Sequence, residues 1–153
     1  MGRLAPHPGA GNVIPGAAEL SIDVRHQEDP IRERACRELY DVATEIARRR
    51  AVDVRWDVRQ EAAAVPTDPR LTALLARAIE DGGVPVERLP SGAGHDAGEL
   101  AAITPVAMLF VRCRGGISHN PAESVEPEDV GVAVDVLERF LRLLASGAGP
   151  TAG

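Results

Sequence analysis

Between Glu19 and Arg59 the hydrophobic period changes twice, and that change limits the possible folds more than any other feature of the chain. From Glu19 to Arg25, Leu20, Ile22 and Val24 alternate with Ser21, Asp23 and Arg25, the two-residue period of a strand with one wet face. Asp29-Pro30 supplies a helix start, an acidic N-cap followed by a proline whose fixed φ suits the first turn. Ile31, Ala35, Leu39, Val42 and Ile46 follow at helical spacing as far as Arg50. Val52, Val54, Trp56 and Val58 then alternate with Asp53, Arg55, Asp57 and Arg59. The pattern predicts a strand–helix–strand lobe whose helix covers one sheet face. Residues 1–16, punctuated by Pro6, Pro8, Gly9, Gly11, Pro15 and Gly16, read as loop.

Pro66 marks a change of lobe. Asp68-Pro69 repeats the helix-start chemistry, and Leu71, Leu74, Leu75, Ala78 and Ile79 form a stripe that stops at Gly82-Gly83. Val84 to Leu89 reads as a short strand, and Asp96 as the N-cap of a helix through about Ala102. The continuous apolar run from Val106 to Val111 predicts a strand covered on both faces. Glu126-Pro127-Glu128-Asp129 opens a last helix, with Val130, Val134, Leu137, Leu141 and Leu144 as its expected buried stripe. The fold class is therefore α/β: an α+β lobe over residues 12–59, then an α/β part over residues 66–145. The Gly/Ala/Pro-rich tail, residues 146–153, is expected to be disordered.

A length of 153 residues suits one domain or two small lobes. With aromatic residues at 3%, the core must rest on Val, Leu, Ile and Ala. The net charge of −6 argues against a nucleic-acid partner, which needs a basic footprint. Arg48-Arg49-Arg50 is the one basic run, and it closes a helix whose dipole it complements. All 17 basic residues are arginine, which reads as codon bias. There is no membrane-length apolar run and no signal-peptide core, so a cytoplasmic chain with no membrane partner is expected. Cys36 and Cys113, placed on a helix and a strand, read as free thiols.

Chemistry concentrates in two glycine-rich turns, Ser91-Gly92-Ala93-Gly94-His95-Asp96-Ala97 and Gly115-Gly116-Ile117-Ser118-His119-Asn120-Pro121-Ala122-Glu123. Each presents a histidine near a carboxylate, and neutral imidazole is the commonest metal-ligating side chain. His119 is a candidate ligand or a solvated loop residue; Glu123 could orient its ring or be an ordinary surface acid. His95 and Gly94 could line a ligand site, or Asp96 could cap a helix while His95 packs. Asn12 is a candidate polar contact or a turn residue. Arg25 could grip a carboxylate or be a surface charge. Nothing marks a nucleophile, and no residue of the chain is assigned a catalytic role.

Taken together, Asn12-Val13-Ile14-Pro15-Gly16, Asp23-Val24-Arg25, Ser91 through Ala97, Met108-Leu109-Phe110 and Gly116-Ile117-Ser118-His119 with Pro121 and Glu123 resemble one family. In order and spacing they are similar to the latter part of amidase/hydantoinase/carbamoylase-type metallohydrolases. These include N-carbamoyl-L-amino-acid hydrolases and allantoate amidohydrolases of the aminoacylase–carboxypeptidase clan. The resemblance runs from about Gly2 to Ala145.

It implies that His119 is the last ligand of a two-metal zinc or manganese site. It further implies that Asn12 and Arg25 belong to a lid and hold substrate, that Gly94 and His95 line the substrate pocket, and that residues 12–59 are half of a dimerising lid. Residues 66–145 would complete the catalytic domain. The family's other ligands lie in upstream motifs: a His-x-Asp turn, a bridging Asp, a Glu-Glu pair and a further His, with a lid His as well. None of these motifs occurs in the chain. The expectation is a truncated amidohydrolase of linear C–N bonds, acting on carbamoyl or ureido substrates and inactive alone. Its partners would be a complementary N-terminal half on a separate chain and a second copy. A non-catalytic dimerising remnant and a carboxylate-binding module are the competing readings.

Overall fold

The computed structural model describes residues 2–147, which fall in two compact units, Met1–Ala64 and Val65–Gly153. In the first unit, β1 (Arg3–His7) pairs antiparallel with β2 (Ala17–Ser21), with Leu4 opposite Leu20 and Pro6 opposite Ala18. The expectation of a loop over residues 1–16 is corrected here. In a two-stranded ribbon both strands are edges, and an edge strand tolerates a proline that cannot donate to the ladder. Ile22 to Arg25 continue past the ladder, so the predicted strand begins two residues earlier and ends sooner.

Helix α1 (Asp29–Arg50) follows, with Pro30 in its first turn and Arg48, Arg49 and Arg50 in its last. The cap position belongs to Glu28 rather than Asp29. The Asp29 carboxylate instead accepts the Ala64 backbone N–H at 3.1 Å and Arg32 Nε at 3.2 Å. It thereby ties the end of the unit to the start of its helix. Arg32 also reaches Glu61 at 3.4 Å, and these bonds, the one to Asp29 first, raise the pKa of its guanidinium.

The stripe predicted to be buried on α1 is open. Leu39, Val42 and Ile46 are exposed, and Ala47 is the one buried apolar residue among the described residues of the unit. Neither strand packs against this helix: among the described elements, β1 contacts β2 and α2 contacts α4. Residues 52–59 join no ladder among the described residues; they are tied to the unit by the Val52 N–H on the Ala47 carbonyl at 3.1 Å, by Arg59 on Glu19 at 3.2 Å and by Trp56, half-buried against Tyr40 in a T-shaped pair with ring centroids 5.6 Å apart.

In the second unit, Asp68 is the N-cap of α2 (Pro69–Asp81) and accepts the Leu71 N–H at 2.7 Å. The helix stops where Gly83 takes φ +72°, a left-handed conformation that costs glycine little. Leu74, Leu75 and Ala78 are buried as the stripe predicts. Helix α4 (Pro127–Ala145) packs on α2 through Val136, flanked by Phe140 and Leu143. The expected face is shifted: Val130, Val134, Leu137 and Leu141 are exposed, Val134 at 58%, and of the expected stripe only Leu144 is half-buried. Asp135, Glu138, Arg139 and Arg142 share one side of the helix and the apolar residues take up more than half of its turn, so periodicity alone could not choose which part of that wide face is covered.

Val106 to Val111 lies against the same core through Ala107 and Leu109, while Phe110 is 48% exposed. This segment and residues 84–89 form no ladder among the described residues, so neither predicted strand is present, and the former is covered on one side only. A strand exists only with a neighbour, and the apolar sequence supplies half of the pair. Cys113 precedes a short 3₁₀ turn, Arg114–Gly116, rather than ending a strand; both cysteines are free and half-buried. Ser146 Oγ closes α4 on the Leu143 carbonyl, and residues 148–153 of the expected disordered tail lie outside the described residues.

Candidate functional site

The first glycine turn leads into α3 (Asp96–Leu100), where His95 and not Asp96 holds the cap position; its carbonyl accepts the Gly98 N–H at 2.8 Å. Asp96 becomes the first helical residue, so the cap expected there is corrected, and the helix ends at Leu100 short of Ala102. The His95 ring is exposed, with Nε2 2.5 Å from Ser91 Oγ, and forms a T-shaped pair with Phe110 at a centroid distance of 6.2 Å. The same hydroxyl accepts the Ala93 N–H at 3.1 Å. Gly94 is exposed, and an added Cβ would meet nothing within 4 Å, so packing inside the chain does not require a glycine there.

The second turn is built on left-handed backbone. Gly115 and Gly116 have φ of +64° and +68°, and His119 itself has φ +56°. For a residue with a side chain that conformation costs on the order of 1 kcal/mol or more, although histidine tolerates it better than most. Glu123 holds it, since its Oε2 accepts the His119 backbone N–H at 2.8 Å. Asn120 supports the same bend, its Oδ1 accepting from Ala122 and its carbonyl from Glu123. Glu123 therefore bonds the His119 backbone rather than the ring.

In the first unit, Asn12 lies in the exposed turn between β1 and β2. Arg25 is bound to Asp23, with Nε 2.9 Å and 3.1 Å from the two carboxylate oxygens and Nη2 2.6 Å from Oδ2. These bonds hold the Asp23 carboxyl below the ordinary aspartate range and raise the Arg25 guanidinium. The Arg25 guanidinium is thus paired with a carboxylate of its own chain at the surface. Asp23 and Ser91 were the residues that reasoning did not single out. A signal existed for each: an acid two residues before the arginine, and a hydroxyl four residues before the histidine across a glycine turn.

His95 bonds to Ser91 and His119 to Glu123, and the two sets of partners do not overlap. Among the described residues no group of three or more His, Cys, Asp or Glu side chains is placed to hold a metal ion. Zinc sites need three or four protein ligands, so the residues of this chain do not by themselves fit one.

The chain is a mixed α/β protein: a two-stranded sheet and a long helix in the first unit, and helices with a histidine-bearing glycine turn on either side of an apolar segment in the second. Residues 2–143 match Peptidase family M20/M25/M40, and the chain belongs to that family. It is 39% identical to allantoate deiminase of Arabidopsis thaliana and 37% identical to N-carbamoyl-L-amino acid amidohydrolase of Geobacillus stearothermophilus, over 92% and 96% of its own length. Allantoate amidohydrolase of Bacillus subtilis is 33% identical over 94% of the chain. A crystal structure of an amidase of the hydantoinase/carbamoylase family from Burkholderia multivorans superposes with a TM-score of 0.86 at 34% identity, covering 92% of this chain and 34% of that one. The chain spans about a third of the length of the curated relatives it matches, 28% to 36% for these three. The family is generally metal-dependent.

Proposed function

We propose that this chain is the portion of a metal-dependent amidohydrolase that carries the last metal-ligating histidine and part of the substrate grip. The substrates are small molecules with a linear C–N bond of the carbamoyl or ureido kind and a carboxylate. The observation that carries the reading is the identity of 33% to 39% with allantoate and N-carbamoyl-amino-acid enzymes over more than nine-tenths of the chain.

Each residue's part is the one that the family resemblance implies. His119, on a backbone held by Glu123, is the imidazole offered to zinc or manganese. Arg25 pairs bidentately with the substrate carboxylate, taking it in place of Asp23, and Asn12 adds a neutral donor and acceptor. Gly94 leaves room for a ligand beside the exposed His95 ring. Residues 12–59 act as half of a lid that associates with a second copy, and residues 66–145 complete the catalytic domain. The open apolar stripe on α1 supports the lid's association with another surface.

Hydrolysis of an unactivated C–N bond needs a positioned general base and a complete ligand set. One histidine supplies neither, so turnover requires side chains from another polypeptide segment. The test is complementation. The purified chain is mixed with a polypeptide carrying the upstream two-thirds of a family member, and ammonia release from N-carbamoyl-L-amino acids and allantoate is followed. Activity in the mixture that neither component shows alone is expected, and it should vanish with His119→Ala. A mixture that forms a complex, retains zinc and turns over neither substrate sinks the proposal.

A further inference from the structure

The run from Ala107 to Val111 has the side-chain arrangement of a strand and no strand beside it. Residues 105–113 pass without helix, turn or bend, and Cys113 near their end is extended, with φ −99° and ψ 152°. Ala107 and Leu109, two residues apart, lie against the α2–α4 core, so Met108 and Phe110 fall on the opposite face, the alternation of a β-strand. Backbone hydrogen bonds stop at the borders of the run. The Val106 carbonyl accepts the Asp68 N–H at 2.8 Å, and the Arg114 N–H donates to the Ser124 carbonyl at 2.8 Å. Between them, among the described residues, no N–H or carbonyl of residues 107–111 meets a partner.

Backbone groups beside half-buried apolar side chains are rarely left unpaired, and a continuous apolar run is the mark of an inner strand. Alternate residues of an extended segment turn their N–H and C=O groups to opposite edges. Met108 and Phe110 therefore address one edge, and Ala107, Leu109 and Val111 the other. Both edges are bare. We infer that residues 107–111 are a receiving strand, and that extended segments from polypeptide outside this chain add along both of its edges. A second copy, paired through this strand about a two-fold axis, would cover one edge and leave the other bare. The solved amidase on which the chain superposes has the material for both, since the chain covers 34% of it. The source of the added strands rests on the reading of this chain as one portion of an amidohydrolase; the open edges do not.

Amide hydrogen exchange tests this residue by residue, on the ¹⁵N-labelled chain alone and mixed with an unlabelled polypeptide carrying the upstream two-thirds of a family member. Alone, residues 107–111 should exchange as an open chain does while α2 and α4 stay protected. In the mixture both sets of amides should slow by at least about a hundredfold, because a laddered amide exchanges only on opening. Met108 lies off the chain's own core, and Met108→Pro removes one N–H from an edge; it should weaken the complex at least about tenfold. Met108→Ala keeps that N–H and should bind as the wild type does, with α2 and α4 protected in both variants. A complex that leaves residues 107–111 open, or protects one set alone, overturns the inference. So does a failure to form any complex, a folded Met108→Pro that binds like the wild type, or protection that grows with the concentration of the chain alone. Turnover is not read here: a protected complex that hydrolyses nothing upholds the strand pairing and sinks the activity proposal, and an active complex with open amides does the reverse.

Discussion

The two units use the same local vocabulary and reach different kinds of order. Each begins its main helix with Asp-Pro. In the second unit Asp68 caps α2, whose Leu75 and Ala78 close on Val136 of α4. In the first unit Asp29 gives its carboxylate to Ala64 and Arg32, Ala47 alone among the described residues is buried, and α1 shows Leu39, Val42 and Ile46 to solvent. The second unit is therefore organised by apolar burial between two helices. The first is organised by a hairpin, an aromatic pair and exposed ion pairs, which contribute little individually. An identical start signal does not tell whether the helix it opens will find a surface to bury against.

The contrast can be broken most sharply at the core. Leu75→Ala should cost about 2–4 kcal/mol and remove hydrogen-exchange protection from α2 and α4, leaving α1 unchanged. Equal loss of protection in α1 would mean the two units unfold as one. Ala47→Gly, at a buried apolar residue of the first unit, should cost about 1 kcal/mol by chemical denaturation, and its protection loss should stay within α1.

The two aspartates sharpen the comparison further. Asp68→Asn should be nearly neutral and Asp68→Ala should cost about 1 kcal/mol, because asparagine caps as well as aspartate. Asp29→Asn should not be rescued in this way, since its partner Arg32 needs the charge; hydrogen exchange at Ala64 would read the difference. The smallest effect concerns Asp23. Its folded pKa is depressed by Arg25, so the pair is intact above the ordinary aspartate range and is lost as pH falls through the lower folded value. Carboxyl NMR titration should place the Asp23 midpoint below that of an unstructured aspartate, and Arg25→Ala should return it.

Helices α1, α2 and α4 were legible because their starts, ends and period are local properties of the chain. The family was legible too, from the order of the motifs around Asn12, Arg25, His95 and His119. Strands were not. Residues 52–59 and 106–111 carry strand patterns, yet the only ladder among the described residues is β1–β2, part of it on a proline-bearing segment that reads as loop. Pairing depends on a neighbour that the segment does not encode. The covered face of α4 was hidden for a related reason, since Val130 and Val136 are equally apolar and only the position of α2 distinguishes them. At the candidate site, residue types were readable while partnerships were not: Glu123 bonds the backbone of His119, and Ser91 bonds the ring of His95.

The central claim is that this chain brings one imidazole to a metal centre whose remaining ligands come from elsewhere. Zinc titration of the purified chain by calorimetry, paired with metal content after dialysis, tests it directly. The account predicts weak binding, no zinc retained through dialysis and no hydrolysis of N-carbamoyl-L-amino acids. Zinc held stoichiometrically by the chain alone, lost with His119→Ala and accompanied by turnover, would contradict it.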